Sequence, residues 1–170
     1  MAIIMDRPTE KTFTSMAKER HSERAERVYR AYKGLVLEAA HERLVLYVGI
    51  HQYAPGKKIQ VATSGVSAEE PRFIKTQYQN IRDRIVKQTP GIAVVGLDLE
   101  PLDTVEICAL AAKSYGILAL GKKRLHFEVP AQDLLNSFQE RATYAKILSE
   151  LPVRAGPRLV NLKQTVKIAR

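Results

Sequence analysis

Tryptophan is absent, cysteine occurs once, and aromatic residues make up only 6% of the 170 positions. A lone Cys108 cannot close an intramolecular disulfide, so packing has to hold the fold. Its surroundings, VEICALAAK, read as the buried face of a helix, which makes it a small packed hydrophobe rather than a reactive thiol. Long apolar runs are missing too. Runs such as Leu44 to Ile50 and Ile117 to Leu120 are short, well below the roughly 20 residues a bilayer-crossing helix needs. The opening MAIIMDRPTEK has no apolar core of signal-peptide length. The expectation is an intracellular, cytoplasmic protein with no membrane span.

Nucleotide fingerprints are also lacking. Neither GxxxxGK[ST] nor GxGxxG occurs, and no nucleophile elbow surrounds Ser64. The histidines His21, His41, His51 and His126 show no metal-ligand spacing with each other or with Cys108. No cofactor is expected. His51 and His126 fall in expected strands, where they could meet Asp98 or Glu128 in space. For each of the four, an ordinary packed histidine is the preferred reading.

What the chain does have is positive charge: 27 Lys and Arg against 18 Asp and Glu, a formal +9. A field of that size concentrates polyanions near the surface, which points to nucleic acid, an anionic membrane or an acidic protein as partner. With 45% hydrophobic and 26% charged residues, the composition is that of a globular protein, and the length suits one domain.

Periodicity gives the expected elements. Residues 1–14 read as a flexible N-terminus, 15–151 as a single α/β domain (α+β being the variant), and 152–170 as a basic segment ending in an edge strand. Charged helix formers from Ser15 to about Lys33 predict a long N-terminal helix. Leu35 to Leu44 also suits a helix. Leu44 to Tyr53 and Lys57 to Thr63 predict a hairpin turning at Pro55 and Gly56. Ser67 and Glu70 have the spacing of a capping box, opening a helix to about Gln88 with Phe73, Ile74, Tyr78, Ile81 and Ile85 on one face. Gly91 to Leu97, a helix from Leu102 to Tyr115 and Ile117 to Leu120 together read as a βαβ unit over 91–120. Arg124 to Val129 alternates as a half-buried strand. A last helix from Pro130 to about Glu150 should stop at Pro152, Gly156 and Pro157. The sum is a sheet of about five or six strands, partly parallel, flanked by helices.

Three sets of residues could carry chemistry. Asp98, Glu100 and Asp103 lie beyond the most apolar strand and could hold Mg²⁺ for a nuclease or phosphotransferase; the simpler and preferred reading is that, as acids before and within a first turn, they cap the following helix. Thr63 to Ser67 joins a strand to a helix and could cradle an anion, or simply cap. The third set is the bases: Arg24, Arg27 and Arg30, Lys57 and Lys58, Lys122, Lys123 and Arg124, and Arg158, Lys163 and Lys167. Gathered on one face they would engage phosphates; dispersed, they would only keep the protein soluble. The reading preferred from sequence is a basic, non-catalytic nucleic-acid-binding or regulatory module that contacts the phosphate backbone of DNA or RNA. Its rivals are a protein-interaction or homodimerising adaptor, using the first helix or the C-terminal strand, and the Mg²⁺-dependent enzyme.

Overall fold

The alternation that marks Leu46–Tyr53, Lys58–Ser64 and Lys123–Pro130 as strands also decides which way each side chain points, because successive Cβ atoms leave opposite faces. A computed structural model describes residues 23–41, 43–53, 56–109, 113, 117–130 and 136–160. These divide into two compact units, one from Met1–Val45 with Leu110–Gly121 and one from Leu46–Ala109 with Lys122–Arg170.

In the first unit, helix α1 spans Glu23–Ala39. Residues 15–22 of the expected N-terminal helix lie outside the described residues. The helix runs straight through Gly34, which sequence reasoning took as a boundary; a glycine costs a helix interior about 1 kcal/mol and does not by itself end it. Tyr29, Tyr32, Val36 and Leu37 lie on its less exposed side. His41, at φ 48°, supplies the left-handed residue past the last turn. Ile117–Ala119 forms a 3-10 turn where a strand was expected.

The second unit holds the strands β1 (Leu46–Tyr53), β2 (Lys58–Ser64), β3 (Gly96–Leu99) and β4 (Lys123–Pro130), with helices α2 (Glu70–Lys87) and α3 (Phe138–Leu159). Its sheet has the order β1-β4-β2-β3. Strand β4 runs parallel to β1 and antiparallel to β2, and β2 runs parallel to β3. Among the described residues the sheet therefore has four strands, not five or six, and it is mixed. The expected hairpin is corrected as well: β1 and β2 do run in opposite directions, but β4 inserts between them. A βαβ unit exists one element earlier than expected, as β2, α2 and β3. The stretch expected to form its helix is irregular over 101–109. Ile92 and Val95, read as strand, instead pack into the core from an extended approach to β3.

One face of this sheet is apolar. Ile59 and Val61, Leu97 and Leu99, and Leu125 and Phe127 meet Ile74, Tyr78, Ile81 and Ile85 of α2 and Tyr144, Ile147, Leu148, Leu151, Ala155 and Leu159 of α3 in a single cluster. Both helices thus cover the same face, a two-layer arrangement. Helix α3 continues through Pro152 and Pro157, contrary to expectation. Two prolines cost about 3 kcal/mol each, but Leu151, Ala155 and Leu159 carry the buried stripe past them. Ser137 and Glu140 close a full capping box at its start. At α2 only half of the expected box forms: Glu70 Oε2 accepts from the Ser67 N–H at 2.6 Å, while the cap residue is Glu69. The Tyr144 hydroxyl anchors the approach to β3 by accepting from Val95 N–H and donating to Ala93 C=O.

Candidate functional site

The antiparallel register of β2 and β4 places Ser64 opposite Arg124, and this one pairing joins two of the candidates above. At the turn after β2, Gly65 has φ 72°, and a Cβ built there would lie 1.9 Å from the Lys122 carbonyl oxygen. Only glycine lets the β2–α2 turn lie against the basic turn that opens β4. Arg124 Nη1 donates to Ser64 Oγ at 3.0 Å. The Lys123 ammonium reaches across to Glu70, at the start of α2, and the two side chains form an ion pair. One turn further along α2, Phe73 carries the Arg158 guanidinium 4.4 Å above its ring, a cation–π contact from α3. Lys122, Arg158 and Arg72 are exposed. Lys123 and Arg158, from two elements distant in sequence, thus both reach the first turns of α2, while Arg124 leaves the other face of β4 to meet Ser64.

Glu70 shapes the electrostatics of this corner. Burial pushes its carboxyl up, but the Lys123 ammonium and the Ser67 amide together outweigh that and hold it below the ordinary glutamate range. The carboxylate occupies the start of α2, so the helix N-terminus already has a negative group against it. In the turn expected to cradle an anion, Thr63–Ser67, Thr63 is already engaged: its N–H donates to Glu100 Oε2 at 2.9 Å and its hydroxyl to the Glu100 carbonyl at 3.0 Å.

Two of the other expected bases lie away from this corner. Lys57 and Lys58 sit at the far end of β2, six residues or roughly 20 Å from Ser64 along the strand. There Lys58 Nζ bonds Asp98 Oδ1 of β3 at 2.9 Å. That contact and the Asp98 charge raise the lysine above its usual value. Arg27 and Arg30 are exposed on α1 in the first unit. The Arg24, Lys163 and Lys167 side chains lie outside the described residues.

The acidic set serves the sheet. Asp98 holds Lys58, and Glu100 extends the β3 pairing onto β2 through Glu100 N–H to Val61 C=O at 3.0 Å. Asp103 accepts from Leu99 N–H at 2.9 Å and from Lys75 at 2.6 Å. Burial pushes the Asp103 carboxyl up, and these donors more than reverse it. The capping role expected of these acids fails because the residues after them form no helix within 101–109; they clamp β3 to β2 and α2 instead. Among the described residues no three His, Cys, Asp or Glu side chains stand together as a metal site.

The second face of the sheet is polar, and sequence reasoning glimpsed it only in part. Tyr47 and His51 of β1, Arg124, His126 and Glu128 of β4, Gln60 of β2 and Asp98 of β3 share it by register. His126 Nε2 lies 2.8 Å from Glu128 Oε1, and the His51 and His126 rings are in contact at 4.3 Å between centroids. Gln60 Oε1 accepts from the Glu106 and Ile107 amides. Away from both regions, an open groove of about 430 Å³ lies between the end of α2 and the start of α3, beside the exposed Phe138. No described helix is long and apolar enough to cross a membrane. Compared with protein-family models, curated proteins and solved structures, the chain matches none.

Proposed function

We propose that this chain is a nucleic-acid-binding or regulatory module, non-catalytic, that grips the phosphate backbone at the corner where β2, α2, β4 and the end of α3 meet. One observation carries the reading: Lys123 pairs with Glu70 at the start of α2 and Arg158, more than 30 residues further along the chain, stacks on Phe73 one turn along the same helix, with Lys122 and Arg124 flanking Lys123 in sequence. Two of the four serve the fold and the ligand together, because Lys123 and Arg124 are fixed by Glu70 and Ser64. The other two, Lys122 and Arg158, are exposed and offer donors to a phosphate without breaking an ion pair. A guanidinium resting on a ring keeps its edge donors turned outward, the geometry suited to bidentate phosphate contact. Such contacts read backbone rather than sequence.

Reversing charge at Lys122 and Arg158 tests this without disturbing the Glu70 pair. In fluorescence anisotropy at about 50 mM salt, the Lys122→Glu, Arg158→Glu double variant should bind a labelled oligonucleotide at least about tenfold more weakly than the parent. Equal affinity in the parent and the double variant would remove the corner as the binding surface. Lys123→Glu is the wrong probe, since it would set a second carboxylate against buried Glu70.

A further inference from the structure

We propose that the groove between the end of α2 and the start of α3 takes one unpaired base of a single-stranded nucleic acid, stacked on Phe138, while the neighbouring phosphates run along α3 to the basic corner. Phe138 is 81% exposed and offers a stacking platform. Its backbone is fixed, because Ser137 caps the helix just before it and the capping box with Glu140 is complete. Beside the ring, the groove of about 430 Å³ is lined by Ile85 and Ala142, by exposed Gln88 and Gln139, and by Lys146. Apolar atoms, amide donors and acceptors, and one cation suit a flat ring with polar edges that carries a phosphate.

The charge between groove and corner selects a polyanion over an apolar peptide. Arg158 lies over Phe73, Arg84 bonds Glu150 at 2.5 Å, and Ile85 and Ala142 line the same groove, so α2 and α3 run antiparallel along one seam. Lys146, Glu150, Arg154 and Arg158 follow at successive turns of α3. Glu150 accepts from both Arg84 and Arg154, so one acid faces two arginines and the seam keeps a positive excess. Lys146 and Arg158 are about three turns apart, roughly 18 Å, a span that a few nucleotides of extended strand cover. A duplex keeps its bases stacked inside, whereas a single strand splays one onto an aromatic ring. This inference rests on the phosphate reading of the corner and names its substrate class.

The chain has no tryptophan, so a Phe138→Trp variant carries a single reporter at the groove. At about 50 mM salt, a short single strand of mixed sequence should quench its emission, and a duplex of the same sequence or an abasic sugar-phosphate strand should not. In fluorescence anisotropy, Phe138→Ala should weaken single-strand binding about tenfold with the salt slope unchanged, since no cation is lost. Equal quenching by the duplex or the abasic strand, or unchanged affinity in Phe138→Ala, overturns the base site; the phosphate reading survives that result if the Lys122→Glu, Arg158→Glu variant still binds more weakly than the parent. No association of the parent with any strand removes both. Emission that changes with protein concentration and not with oligonucleotide places a second copy of the chain in the groove and overturns the base site as well.

Discussion

The two faces of one sheet behave as different materials. Side chains at alternate positions of β2 and β4 enter either the apolar cluster under α2 and α3 or a face bearing His126, Glu128, Gln60 and Arg124. The apolar face derives its strength from area and close packing, which no single group dominates. On the polar face, strength comes from specific partners, so losing one acceptor leaves donors unmatched. Apolar packing and polar pairing are thus separated by a period of two along the same strands, and Ser64 and Arg124 pair at the end of the two inner strands, next to the basic turn.

The contrast is sharpest at Phe127. Replacing it with Ala should cost about 3–5 kcal/mol by cavity formation, read as a shift in the urea midpoint; a loss under about 1 kcal/mol would mean that this face is not the principal core. On the other face, Gln60→Ala removes the acceptor of two backbone amides and should cost about 1–3 kcal/mol, with a comparable measurement. Equal losses at both positions would erase the distinction between the faces.

A smaller effect concerns the corner. The folded Glu70 carboxyl lies below its ordinary value, so the unfolded chain binds its proton more readily. The stability it contributes is present above the ordinary glutamate range, near pH 4.3, and is lost as pH falls through that value and below. Glu70→Gln should flatten the decline in denaturant midpoint between about pH 5 and pH 3, while lowering stability at pH 7. Superimposable pH profiles for the two proteins would contradict the pairing with Lys123.

Much of this was readable in the residues. The alternation in β1, β2 and β4 and the spacing of three and four in α2 set those elements to within one or two positions, because a half-buried surface imposes its period locally. Neighbour order is a different matter. Nothing in Leu46–Tyr53 or Lys58–Ser64 reports that β4 lies between them, since the pairing partner comes some 60 residues later. For the same reason His51 and His126 could be assigned to strands, yet their contact depends on a parallel register that is not a local property. Prolines 152 and 157 misled because tertiary burial outweighed propensity. Of the candidate bases, the run Lys122 to Arg124 was visible as a run, whereas Arg158 needed the packing of α3 on Phe73 to join it. The glycine that lets this corner close, Gly65, gave the one local hint: a strand end followed by a residue free to adopt positive φ.

The most direct test is the salt dependence of oligonucleotide affinity between about 50 and 200 mM for the parent and the Lys122→Glu, Arg158→Glu double variant. Phosphate contact at the corner predicts a linear fall of log affinity with log salt in the parent. The double variant should show a slope shallower by about two, one for each lost cation. Parallel lines, or no measurable association at the lowest salt, would contradict the account.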